Sequence, residues 1–380
     1  MKRINVFVPK FRKEEILEGI EECLDKGWTG MGFKTVEIEE QWKEYTNLPN
    51  AHFINSNTSG LHLAVKILKH ANKWKDKDEI ITTPLTFVST NHSILYENLT
   101  PVFADVDEQL CLDPIDVESK ITRKTKAIMF VGMGGNIGQF NKIVEICQNH
   151  NLKLIFDAAH CAGTKTLKNT QVGAEADVSI FSFQAVKNLP TADSGMICFK
   201  NNDYDQLARK MSWLGIDKDT FTRTNQKGTY KWDYDVPTLG YKYHGNSIMA
   251  VMALTGLKYL DSDNKRRREI ADIYDKELHD TKDITIIKHN PRYISSRHLY
   301  QIRVKNRDKV MELLNNRYVS PGVHYKDNTE YDLYKESYGI CPYSHKISKE
   351  LITLPIHLNL TDEDCIKVTN TLKDILKIWE

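Results

Sequence analysis

Three absences narrow the possibilities before any motif is considered. Net charge is almost nil: 52 Lys and Arg against 51 Asp and Glu leave +1, so no global field recruits nucleic acid or an anionic membrane, and any anion site must be local. Long hydrophobic runs are missing as well. No window approaches the ~18 uncharged apolar residues of a membrane span, and the opening MKRINVFVPKFRKEE lacks the apolar stretch of a signal peptide. A soluble, intracellular and hence cytoplasmic protein is the expectation. The cysteines (Cys23, Cys111, Cys147, Cys161, Cys198, Cys341 and Cys365) are odd in number, scattered and free of CxxC spacing. That argues against a disulfide framework and a zinc site, and predicts buried, inert thiols with no metal centre. Internal repeats and low-complexity tracts are absent too.

What remains is a long chain of alternating texture. Its 380 residues exceed the ~250–300 at which a single core stops growing, which predicts two domains. Residues 13–25 and 34–46 have the spacing of amphipathic helices, the first with Ile16, Ile20 and Leu24 on one face. NSNTSG then breaks the pattern before LHLAVKILKHA, a helix opened by a Ser/Thr cap, with Leu61, Val65 and Leu68 in phase. Strand-like runs EIITT, PVFADVD, KAIMFVGM, LKLIFDAA, ADVSIFSF and GMICFK follow, with helical stretches near 88–97 and 139–150. Short β-branched runs separated by helices predict an α/β fold with a mostly parallel sheet covered on both faces, whose ligand site lies at the carboxyl ends of the strands. Texture changes around 240–260, where GYKYHGNSIMAVMAL leads into the charged helix NKRRREIADIYDKEL. The expected boundary divides a large domain, 1–245, from a smaller one, 246–380.

The stretch FSFQAVKNLPTADSG brings Lys187 out of an apolar strand into a turn-forming run, and FDAAH puts Asp157 just past another strand. In a parallel sheet both open onto the same edge. An acid and a lysine there fit a plain ion pair; they also fit a pyridoxal phosphate site, where a lysine forms a Schiff base and a carboxylate holds the pyridine nitrogen protonated. That cofactor needs a phosphate cup as well. NSNTSG offers hydroxyls and backbone N–H groups at a helix N-terminus, where the dipole favours an anion. Phe87 of PLTFVST is either core or a cover for the cofactor ring.

Seven segments in one order, GWTGMGFKTVEIEEQWKEY, NSNTSGLHLAV, DEIITTPLTFVSTNHSILYENLTPVFADVD, FDAAHCAGT, FSFQAVKN, GYKYHGNSIMAVMAL and GVHYKDNTEYDLY, together resemble the DegT/DnrJ/StrS family of sugar aminotransferases. The resemblance implies the aspartate aminotransferase type of fold, fold type I, with a large seven-stranded sheet and a smaller C-terminal domain. It implies a homodimer with a shared active site, pyridoxal 5′-phosphate as cofactor, L-glutamate as donor and a keto-sugar, nucleotide-linked, as acceptor. By the same resemblance Lys187 carries the cofactor as a Schiff base, Asp157 pairs with its ring nitrogen, and His160 hydrogen-bonds its 3′ oxygen. Thr58, Ser59 and Ser182 are implied for the phosphate, and Phe87 for the ring. Lys242, His244 or Asn246 is implied to reach a neighbouring subunit's phosphate, with His244 taken as the cofactor ligand. Trp28, Thr29, His324 and Tyr325, together with Arg297 and His298, are candidates for acceptor contacts.

The chain departs from the family pattern in two places. Gly132 of VGMGGNIG stands where many members have a histidine, and Asp193, Ser194 and Gly195 replace a common EGG. Other readings are weaker. Lys187 speaks against the dehydratases that replace this lysine with histidine, and the scattered cysteines offer no iron–sulfur motif. No G-x-G-x-x-G turn follows the first strand, as a nicotinamide enzyme would need. A non-catalytic cofactor-binding or regulatory relative would have no use for an intact Lys187 and Asp157.

Overall fold

The computed structural model describes residues 2–217 and 234–377. At its centre is a seven-stranded sheet whose strands run, edge to edge, His52–Ile54, Gly195–Phe199, Val178–Ser182, Lys153–Asp157, Thr125–Val131, Glu79–Thr82 and Thr100–Phe103. The last five pair in parallel; Gly195–Phe199 alone runs against both of its neighbours. This is the expected α/β architecture, with one strand reversed.

Alternation along each strand divides the interior into two cores. Ile128, Phe130, Leu154, Phe156, Phe181 and Cys198 face one layer of helices, while Ala127, Met129, Ile155, Val178, Ile180 and Ile197 face the other. The period of 2 leaves both faces apolar, which is why the strands read as continuous hydrophobic runs. The helix Asn57–Ala71 buries Leu61, Leu63, Ala64, Val65, Ile67 and Leu68. Its apolar surface exceeds one stripe because it is wedged between the sheet and the helices Val88–Leu95 and Asn202–Ser212.

The helix Lys13–Asp25 differs from expectation in one respect. Ile16 and Cys23 are its buried residues, whereas Leu24 is 62% exposed. At 3.6 residues per turn Cys23 lies about 20° from Ile16 around the axis and Leu24 about 80°, so the cysteine takes the inward place. All seven cysteines are buried and free. No helix among the described residues is long and apolar enough to cross a membrane.

The segment from 247 onward forms one helix, Ser247–Leu278, of 32 residues. Ala250, Ala253, Leu254, Leu257 and Leu260 join the first large core; Ile270, Ala271, Tyr274 and Leu278 join a third. That third core lies behind an antiparallel sheet of Ile284–Ile286, Tyr300–Val304 and Leu351–Leu354, and includes Val368, Leu372 and Ile375 of the helix Asp362–Leu376. The chain start returns to the same region, because Ile4–Asn5 pairs with Val319–Ser320.

One contact fixes how the site is assembled. Gly195 sits between Ile54 and Ser182 in the sheet, and a Cβ there would lie 2.6 Å from the Phe181 carbonyl oxygen and 3.1 Å from the Asn57 backbone nitrogen. Absence of a side chain lets the helix Asn57–Ala71 start directly against the strand end. Gly195→Ala is therefore expected to lose about 1–3 kcal/mol in urea-unfolding free energy, since both clashing atoms belong to backbone.

Candidate active site

Asp157 is the last residue of its strand, at the carboxyl edge of the sheet and 3% exposed. Three donors grip its carboxylate: Thr90 Oγ1 to Oδ2 at 2.8 Å, and Asn57 Nδ2 and the Ala159 N–H to Oδ1 at 3.4 and 3.2 Å. Thr90 is itself held by Thr86 at 2.9 Å. Burial pushes the carboxyl above its ordinary value, and these donors with the nearby Lys187 charge offset that only in part.

Lys187 reaches the same edge by a hairpin. Val178–Ser182 and Gly195–Phe199 are antiparallel neighbours, so the intervening residues must turn back on themselves. Their neck is tied by Phe183 N–H to the Ser194 carbonyl and Thr191 N–H to the Phe183 carbonyl, at 2.9 and 2.7 Å. Within the loop the Lys187 N–H bonds the Gln184 carbonyl at 2.8 Å. Desolvation, opposed by the Asp157 charge, brings the half-buried Lys187 amine down to about 8, so a substantial neutral fraction is available near physiological pH.

An aromatic and imidazole wall adjoins these two groups. His160 is buried; burial and the Lys187 charge hold its ring well below the ordinary histidine value. It stacks on Tyr325 at 6.1 Å and lies 4.5 Å from His298, centroid to centroid. Tyr325 in turn is 6.0 Å from the ring of Phe87, a residue 57% exposed. His324, brought down to about 4 by burial and Lys187, bonds Thr353 Oγ1 at 2.9 Å. Arg297 is directed away, toward Asp275 at 3.7 Å.

Beside this edge opens a pocket of about 520 Å³ lined by Asn55, Ser56, Thr58, Ser59, His62 and three tyrosines, Tyr96, Tyr241 and Tyr243. Its floor is the N-terminus of the helix Asn57–Ala71, where first-turn N–H groups lack intrahelical partners. Ser56 caps the helix by accepting from the Ser59 N–H at 3.1 Å, and the Ser59 hydroxyl bonds Asn55 Oδ1 and the Ser56 carbonyl, both at 2.7 Å. Ser182 ends the strand whose partner Gly195 abuts this helix start.

The other predicted residues are placed less centrally. His244 bridges Ile54, donates from Nδ1 to the Gly245 carbonyl at 2.7 Å, and leaves its Nε2 buried without a partner. Lys242 lies over the Trp213 ring, 3.4 Å from its centroid. Asn246 caps the helix Ser247–Leu278. Trp28 and Thr29 belong to the turn packed on that helix start, where Ser247 bonds the Thr29 and Gly30 carbonyls. Thr90 and Asn57 carried no signal of their own in the sequence, and of the GYKYHGN stretch only Lys242, His244 and Asn246 were singled out, not the tyrosines that line this pocket.

Pyridoxal phosphate fits this constellation on the chemistry of its groups. A buried carboxylate with incomplete charge compensation suits a protonated ring nitrogen, a lysine with a neutral fraction suits an aldehyde, and an open helix start suits a phosphate. Asn57 Oδ1 is also buried without a partner.

Known proteins agree. The chain is 33% identical over 383 residues to the spore coat polysaccharide biosynthesis protein SpsC of Bacillus subtilis, spanning 97% of this chain and 96% of that one. Among solved structures it is similar to Helicobacter pylori PseC, an aminotransferase involved in the biosynthesis of pseudoaminic acid, with TM-score 0.90, 26% identity and coverage of 99% and 100% of the two chains. It is similar also to Spr1654 of Streptococcus pneumoniae in its PLP form, with TM-score 0.89, 27% identity and 99% of each chain covered. Fold and comparisons define a pyridoxal phosphate-dependent sugar aminotransferase of fold type I. The chain belongs to the DegT/DnrJ/EryC1/StrS aminotransferase family, whose pattern matches residues 10–373.

Asp157 gives a pH-dependent expectation for the apoprotein. Its folded pKa is raised, so folding favours the protonated form: this stability is present below the unfolded value of ~3.9 and lost as pH rises through the folded value. At pH 7 the Asp157→Asn apoprotein should melt a few degrees above wild type, and the gap should close on acidification toward pH 4. Thermal unfolding followed by circular dichroism across that range checks both.

Proposed function

We propose that the protein transfers an amino group from L-glutamate to a keto-sugar, most simply a nucleotide-linked 4-keto or 3-keto deoxysugar, and works in the cytoplasm as a homodimer with a shared site. The observation that carries the transamination is the meeting of Lys187, at a hairpin tip with its amine near pKa 8, with the buried Asp157 carboxylate. Sugar as acceptor is supported by the polysaccharide and pseudoaminic acid roles of SpsC and PseC. Glutamate, the nucleotide linkage and the dimer rest on the family resemblance.

In this reading Lys187 holds the cofactor covalently and Asp157 keeps its ring nitrogen protonated. Pyridoxal phosphate, when bound, supplies an electron sink for the carbon that loses its proton. Lys187 Nζ, once released, takes and returns that proton, a task suited to an amine that exchanges protons near neutrality. Thr90 and Asn57 orient the Asp157 carboxylate. Thr58, Ser59 and Ser182 hold the phosphate at the helix start, with His244 from the partner subunit, and Phe87 covers the ring. Trp28, Thr29, His324 and Tyr325 are the candidates for sugar contacts.

A visible absorption spectrum tests the reading. Adding L-glutamate to the yellow holoprotein is expected to bleach the band near neutral pH, and a nucleotide keto-sugar to restore it. A band that glutamate leaves unchanged would remove glutamate as donor. Lys187→Ala should keep its fold by circular dichroism while losing turnover by at least a thousandfold, on the order of the loss when a positioned proton-transfer group is removed; a mutant that still transaminates would refute the role of Lys187.

A further inference from the structure

One buried cation has no counterion. Arg267 lies on the helix Ser247–Leu278 and is only 6% exposed. Its Nη1 donates to the Ile356 carbonyl at 3.2 Å, while its Nε is buried without a partner. The acid one turn back on the helix, Asp263, is already taken, because Arg12 grips both of its carboxylate oxygens at 2.7 and 2.6 Å. Burial brings the Arg267 guanidinium down to about 10, and the Asp263 charge offsets this only in part. An arginine charged at neutral pH with so little compensation is costly unless something negative sits beside it.

There is room for such a partner. A cavity of about 10 Å³ opens where four parts of the chain meet: Pro9 and Lys10 near the chain start, Lys187 in its loop, Arg267, and His357 after the strand Leu351–Leu354. That is the space of one water-sized occupant, too little for the carboxyl group of an amino acid. Pro9 and Lys10 are exposed, so the cavity borders solvent on their side.

The groups around it are cationic or neutral. Arg267 and Lys10 are cations, and Lys187 is one when protonated. Burial and the Arg267 charge bring His357 down to about 4, which leaves its ring neutral. Asn188, beside Lys187, has both ends of its amide engaged, by Asn264 and Ser296 on one side and His298 on the other. The His298 ring is held neutral as well, by burial first and then by neighbouring charges that include Arg267. No carboxylate lines the cavity among the described residues; Asp157, whose charge acts on Lys187, belongs to the strand edge. A water molecule would fill the space and bring no charge to set against Arg267.

We infer that this cavity is a binding site for a small monovalent anion of the chloride class, held against Arg267 behind the Lys187 loop. The site is distinct from the helix-start pocket and does not rest on the aminotransferase reading. An ion there ties the chain start, the lysine loop, the long helix and the segment after Leu351–Leu354 together. It also places negative charge near Lys187, which favours the ammonium form of that amine.

Melting of the apoprotein at pH 7 tests the site, with sodium chloride compared against sodium gluconate at equal ionic strength, since gluconate is too large to enter. Chloride at about ten times its dissociation constant is expected to raise the midpoint by about 2 °C, and bromide to do the same. The gain should vanish in Arg267→Met, which keeps the length of the side chain and removes its charge. Bromide-soaked crystals of the wild-type protein should show an anomalous-scattering peak in the cavity beside Arg267. Equal melting in chloride and gluconate overturns the inference, as does a chloride gain that persists in Arg267→Met. A cavity that holds water and no bromide overturns it too, and that measurement needs only the wild-type protein, so a variant that fails to fold leaves the test intact.

Discussion

A buried carboxylate with too little positive charge around it is the constraint on which the site depends. Isolated in an apolar core, Asp157 would protonate and lose its use. Three neutral donors, from the helix Asn57–Ala71, the helix Val88–Leu95 and the turn after its own strand, hold it in orientation without neutralising it. Since Asn57 is also the first residue of the helix whose start lines the pocket of Asn55, Ser56, Thr58 and Ser59, the carboxylate and the pocket are positioned by the same turn. Moving that helix would disturb both at once.

The reversed strand Gly195–Phe199 serves the other half of the arrangement. A parallel connection after Val178–Ser182 would need a crossover of a dozen or more residues, usually a helix. Antiparallel return allows a tied loop instead, which keeps Lys187 close to the edge where Asp157 ends its strand. The same reversal brings Gly195 against the start of the helix Asn57–Ala71. Lysine loop, helix-start pocket and carboxylate therefore share one corner of the sheet, and the low pKa of Lys187 follows from being enclosed there.

Much of this was legible in the sequence because it depends on local pattern. Apolar runs of strand length, caps before helices, and a lysine and an aspartate each just past a strand all carry physical signals within a dozen residues. The strand His52–Ile54 escaped notice, for three residues are too few to show a period. Leu24 was placed on the buried face because spacing alone does not distinguish i+7 from i+8 on a tilted helix, and Cys23 is the residue that turned inward. Thr90 and Asn57 were illegible for a different reason: each is an ordinary helix-start residue until the fold brings it, from 67 and 100 positions away, to Asp157.

The proton order in the imidazole wall shows how far such long-range placement reaches. Asn264 Nδ2 bonds the Ala162 carbonyl at 3.0 Å, which turns its Oδ1 toward Asn188 Nδ2 at 2.6 Å. Asn188, also donating to the Ser296 carbonyl, must then present Oδ1 to His298 Nδ1 at 2.8 Å. His298 therefore donates from Nδ1, while His160 accepts at Nδ1 from the Gly134 N–H at 3.1 Å; burial holds both rings well below the ordinary histidine value. A charge on either ring would repel Lys187 and oppose a fixed backbone group, so the wall keeps two histidines uncharged within 4.5 Å of one another. Carbonyls orient the series Asn264, Asn188 and His298, and one glycine N–H orients His160; neither kind of group changes protonation near neutral pH.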